Sequence, residues 1–249
     1  MMTTRLFAAL FALAWAVAPV RGQDIQLHYD LGHALYSGLS DRQSVTSTVE
    51  MYKPDKYGST YFFTDFYYQA DGVSGAYWEV SHEVNLTKGG RWAVHGEYNG
   101  GLSSDHDTWM ANRFQHALLF GPALNLHSAD FQRTFSLQLL YKYTFKSKHY
   151  QAHPFNGFQI TEVWGLNFAR RMLTMSGYCD LWYNPDVNGH LILGGQPQFW
   201  FNLDALRGCS DVHLSVGSEV EVSNNFVWND RGEHNRFYVI PTVAMKYTF

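Results

Sequence analysis

"YGSTYFFTDFYY", residues 57 to 68, places seven aromatic rings around a single carboxylate, Asp65. A helix core would reject the acid, and a strand facing water on one side would leave rings exposed. A strand with lipid on one face and a watery interior on the other accepts both. On that reading Phe62, Thr64, Phe66 and Tyr68 face outward, while Tyr61, Phe63, Asp65 and Tyr67 face inward.

The same two-residue period runs through most of the chain. "VHLSVGSEVEVS" (212–223) sets Val212, Leu214, Val216, Val220 and Val222 against His213, Ser215, Glu219 and Glu221. "GAYWEVSHEVNL" (75–86) opposes Trp78, Val80, Val84 and Leu86 to Tyr77, Glu79, Ser81 and Glu83. "FSLQLLYKYTF" (135–145) does likewise around Gln138 and Lys142. None of these segments has the 3.6-residue repeat of a helix.

Such segments fall near 25–31, 44–52, 58–68, 75–86, 92–99, 110–120, 131–145, 156–169, 172–183, 191–203, 212–224 and 237–249. Their connections alternate between longer polar loops, such as "GHALYSGLSDRQ" and "NNFVWNDRGEHNR", and tight turns such as "TKGGR" and "ARR". An even number of tilted, roughly ten-residue strands with short turns at one end describes a bacterial outer-membrane barrel. Closure satisfies every backbone group without a free edge, so rings can face lipid. The expected fold is therefore all-β: a single antiparallel transmembrane barrel of about twelve strands.

Residues 1–22 have the layout of a secretory signal peptide, with Arg5, an apolar run from Leu6 to Val17 and small residues before Gln23. The barrel domain is expected over 23–249, located in the bacterial outer membrane. Charged residues are only 16% of the chain, and no basic cluster suggests nucleic acid. Two cysteines in an exported chain suggest a disulfide. Cys179 lies about six residues into its strand, roughly 20 Å from the end where Cys209 sits. That exceeds the ~7 Å Cα separation a bridge permits and counts against the disulfide, while the even pair counts for it. The last strand, "VAMKYTF", turns Val243, Met245, Tyr247 and Phe249 outward. Such a terminal aromatic resembles the signal read by the outer-membrane barrel assembly machinery.

The words "QLHYDLG", "TVEMYKPDKYGSTYFFTDFYY", "AYWEVSHEVNL", "GEYNGGL", "LLYKYTF", "QPQFWFNL" and "EVEVSNNF" resemble a family of outer-membrane proteins from Bacteroides-type bacteria. That family is grouped with the Tsx-like nucleoside-specific channel-forming porins. The resemblance implies a narrow twelve-stranded channel whose lumenal rings and ionisable groups bind nucleosides in passing. The aromatic strand bearing Asp65 is the stretch that carries over.

Alternation assigns the lumen Asp65, Glu79, Glu83, Glu97, Asp180, Glu219 and Glu221, with Arg113, Lys142 and Lys246 as bases and His95 and His213 as titratable groups. The excess of acids favours neutral or cationic solutes. Tyr61, Phe63, Tyr67, Tyr77, Tyr178 and Trp200 could stack on flat rings such as nucleobases. In "FQITEVWGLNF" either Glu162 or the pair Gln159 and Asn167 points inward; the pattern allows both. Two other readings stand beside the channel. The rings and ion pairs could fill a structural or surface-binding barrel with no open pore. A lipid-modifying enzyme would need a Ser near an outward His, yet His82 and His116 have no such companion in the sequence. No metal-ligand spacing or cofactor motif occurs.

Overall fold

The computed structural model describes residues 22–40, 42–70, 72–104, 111–149 and 151–249; the expected signal segment at 1–21 lies outside these. The strands are β1 (Gln23–Asp30), β2 (Val45–Pro54), β3 (Gly58–Gln69), β4 (Gly72–Asn85) and β5 (Trp92–Ser104). They continue with β6 (Ala111–Arg113), β7 (Ala117–His127), β8 (Arg133–Thr144), β9 (Phe155–Phe168) and β10 (Leu173–Tyr183). The last four are β11 (Leu191–Gly195), β12 (Gln198–Asn202), β13 (Leu214–Asn224) and β14 (Phe237–Thr248).

Every pairing among them is antiparallel, and β14 pairs with β1 to close the ring. β11 and β12 share one place between β10 and β13, interrupted where Pro197 lacks a backbone donor. β6 and β7 likewise share one place beside β5. The result is a closed barrel of twelve strand positions, as the alternation predicts.

Burial inverts the usual partition. Gln26 is 1% exposed and Ser223 0%, while Phe120 is 60% and Val243 62% exposed. A soluble domain hides its apolar groups, so this inversion marks a polar interior inside an apolar jacket. No helix among the described residues is long and apolar enough to cross a membrane.

Turn chemistry fixes the strand registers. At the β2–β3 turn Asp55 accepts hydrogen bonds from the N–H groups of Tyr57 at 2.6 Å and Gly58 at 2.9 Å. Those backbone donors, Tyr57 first, hold its carboxyl below the usual carboxylate range. In "TKGGR" both glycines take positive φ, +84° at Gly89 and +71° at Gly90, where other residues would be strained. The β3–β4 connection, Gln69 to Gly72, is short although it lies at the end that carries the longer loops. Cys179 and Cys209 are both free.

Candidate functional site: the lumen and its mouth

Faces follow from register. Asp65 pairs with Thr48 on β2 and Tyr77 on β4, and Glu79 pairs with Phe63 and Asn99. Tyr61, Phe63, Asp65 and Tyr67 therefore share the interior with Tyr77, Glu79, Glu83, His95 and Glu97. The same ladder carries inward Lys142 on β8, Tyr178 and Asp180 on β10, Trp200 on β12, Glu219 and Glu221 on β13, and Lys246 on β14.

The rings form a continuous track. Centroids of Tyr61 and Phe63 are 6.0 Å apart, those of Phe63 and Tyr77 6.0 Å, and those of Tyr77 and Phe114 6.3 Å. Acids line this track: Thr48 donates to Asp65 at 2.6 Å, and the Tyr77 hydroxyl donates to Glu79 at 2.7 Å. A wall of rings interrupted by acceptors can hold a flat solute by its face and its polar edge.

Toward the short-turn end, His95 is clasped between Glu83 at 3.2 Å and Glu97 at 3.0 Å. Both ring nitrogens face carboxylates, the arrangement of a doubly donating imidazole. Asn125 and Gln138 also donate to Glu83, at 2.7 and 3.2 Å. On the opposite wall Lys246 lies 4.4 Å from the Trp200 ring centroid, and the Trp200 indole donates to Gln198. Gln198 in turn donates to Glu219 at 2.7 Å.

The long-loop mouth is narrowed by the β1–β2 connection, which includes the single helical turn α1 (Gly32–Leu35). Leu39, 1% exposed, packs on Val227, Tyr238 and Ile240, of which the last two project inward from β14. Ser40 binds Asp230 through its backbone N–H at 3.0 Å and its hydroxyl at 2.6 Å. Arg42 spans two strands, reaching Asp30 at 2.9 Å and Glu221 at 2.7 Å.

Two expected lumen residues lie elsewhere. Arg113 pairs with outward Leu102 and is exposed. Asn99 pairs with Ala117, but Leu102 pairs with Arg113, so one extra residue is inserted between β6 and β7. That bulge reverses the parity before it and turns Phe114 inward instead. The Phe114 ring needs Gly101 opposite, since a Cβ there would lie 2.2 Å from it. His213 is exposed just before β13, edge-on to outward Tyr247, and does not enter the lumen. On β9 the open choice resolves: Gln159 and Asn167 pair with inward partners, whereas Glu162 is exposed opposite Leu137 and Cys179.

Several interior groups lie outside the set that alternation assigns to the lumen. Asp24, Gln26, His28 and Asp30 all face inward from β1, and Glu50 from β2. Their signal is present in "QDIQLHYD", where polar residues alternate with Ile25, Leu27 and Tyr29. Arg42 has no such signal, because a loop residue carries no parity. Of the outward histidines, His82 pairs with Thr60 and His116 with the Tyr98 hydroxyl, not with a serine nucleophile.

A closed antiparallel barrel with an apolar jacket and an ionisable interior has the architecture of transmembrane β-barrels. The chain belongs to the family described as "Domain of unknown function (DUF5020)", whose model matches residues 22–249. No curated protein matches it. Among solved structures, it is similar to the NanC porin, at 10% identity and a TM-score of 0.57, over 91% of this chain and 100% of that one. It also aligns with the KdgM porin, at 9% identity and a TM-score of 0.48, over 92% of this chain and 99% of that one. LpxR from Salmonella typhimurium aligns at 8% identity and a TM-score of 0.45, over 92% and 100% respectively. At these identities the likeness to NanC speaks for the fold alone.

Proposed function

We propose that this protein is a bacterial outer-membrane channel that passes small, flat, neutral or cationic solutes, with nucleosides the first class to try. One observation carries the reading: a track of rings from Tyr61 to Phe114 runs beside Asp65 and Glu79 inside a closed barrel. Among the described residues, interior carboxylates at Asp24, Asp30, Glu50, Asp65, Glu79, Glu83, Glu97, Asp180, Glu219 and Glu221 face only Arg42, Lys142 and Lys246 as permanent cations. Such an excess lowers the barrier for cations and raises it for anions. The apolar jacket supports residence in lipid, and the outward Tyr247 and Phe249 support delivery by the barrel assembly machinery. The resemblance to Tsx-like porins supports nucleosides as the solute.

The test is purified protein in planar bilayers, with current recorded under a salt gradient and with added nucleosides. Cation-selective current reduced by nucleosides supports the reading. Anion selectivity, or indifference to nucleosides, removes the corresponding half of it. A barrel that serves as structure only is favoured by one feature, the folded-in loop carrying Leu39 and Arg42. The absence of any current would select that reading.

A further inference from the structure

Among the described residues, Asn99, Glu97 and Asp180 each leave a buried acceptor inside the barrel that meets no donor. Asn99 is 6% exposed, and its amide oxygen Oδ1 is unpartnered. Glu97, its side chain 10% exposed, gives one oxygen to His95, while the other, Oε1, is buried and unmatched. Asp180 leaves Oδ1 in the same state. Folded proteins leave few such groups, and each calls for a physical reason.

The three share a neighbourhood. Asn99 lies directly across from Glu79, and Glu97 is the next inward position on the same strand. Glu79 feels the charges of Glu97, Asp180 and Lys142. Lys142 offsets part of the charge of Asp180, Glu79 and Glu97, but its ammonium donates to Gln159 at 2.7 Å and lies over the Trp182 ring at 5.0 Å, so the three unmatched oxygens gain no hydrogen bond from it. No three His, Cys, Asp or Glu side chains among the described residues are grouped to hold a metal ion. A set of acceptors without donors, two of them carboxylates, suits a ligand that brings several N–H donors and a positive charge.

We infer that Glu97, Asn99 and Asp180, backed by Glu79, form a lumenal site for the primary ammonium or guanidinium group of a small organic cation. The inference rests on the channel reading, because a solute must reach the site through the lumen. The Tyr77 ring, whose hydroxyl binds Glu79, stands beside it to receive a flat body attached to the cation. The substrate class narrows accordingly to amines or guanidines carrying a planar group.

Isothermal titration calorimetry on the detergent-solubilised barrel tests the site with benzylamine and its neutral counterpart benzyl alcohol. Benzylamine should bind at least about tenfold more tightly, and Asp180→Asn or Glu97→Gln should each remove about tenfold of that affinity, the effect of one charge-assisted hydrogen bond. Equal binding of the two probes, or undiminished benzylamine affinity in Asp180→Asn, overturns the site. Should Glu97→Gln fail to fold because His95 loses a partner, Asp180→Asn alone decides. Conductance is measured separately. Benzylamine binding without any current keeps the site and overturns the channel reading; current without benzylamine binding does the reverse.

Discussion

Replacing Arg42 with alanine should open the mouth. Its guanidinium donates one hydrogen bond to Asp30 at 2.9 Å and one to Glu221 at 2.7 Å, and its side chain is 22% exposed. A hydrogen bond to a charged group contributes about 1.5–3 kcal/mol, so two would give about 3–6. Partial exposure screens that figure, and about 2–4 kcal/mol is a fair allowance. Each 1.4 kcal/mol is a factor of ten, so the ratio of released to docked loop should rise about 30- to 1,000-fold. Leu39 and the Ser40–Asp230 contacts remain as anchors, so release is partial in the single variant. Leu39→Ala, which should cost about 2–5 kcal/mol at a fully buried site, ought to complete it when combined with Arg42→Ala.

Two effects then appear together in planar bilayers. Mean conductance rises as the loop leaves the lumen, and the reversal potential shifts toward cations because Asp30 and Glu221 lose their counter-charge. Arg42→Lys keeps the charge but not the planar fork that spans two carboxylates. It should therefore raise conductance with little change in selectivity. Unchanged conductance in the double variant would refute the claim that this loop is the constriction.

Three further outcomes are expected. Cysteines placed singly at Ser104 and Gly89, in a chain with Cys179 and Cys209 replaced by serine, should be labelled on intact cells at Ser104 only; labelling at Gly89 alone would invert the barrel. Phe249→Asp should reduce the assembled, heat-modifiable form far more than the ~0–1 kcal/mol that a charge near the interface costs, and undiminished assembly would remove Phe249 from the delivery signal. Tyr61→Ala and Tyr67→Ala should weaken nucleoside block of the current by roughly five- to a hundredfold, the worth of one stacked ring, while outward Phe62→Ala and Phe66→Ala should leave it unchanged.

What the sequence discloses is which side of the wall a residue faces, and bulges limit even that. Period two puts Asp65, Glu79, Lys142 and Glu219 on the face that the strand registers turn inward, because a strand with unlike surroundings on its two faces cannot tolerate a slip of one residue. The extra residue between Arg113 and Ala117 breaks the count at a place with no Gly-Pro punctuation to announce it, and Arg113 is misassigned as a result. Height along the barrel is a different matter. Whether Asp180 on β10 approaches Glu97 on β5 depends on strand stagger, which accumulates around the ring from every turn and bulge between them. Alternation carries no information about that sum, so the sequence offers a list of inward acids but not which of them meet. The same limit hides Arg42, whose loop has no period at all. Its role follows only once Asp30 and Glu221, far apart in the chain, stand on one side of the same mouth. A lumen's selectivity thus depends on the quantity least visible in the sequence, the shear that decides which charges share a level.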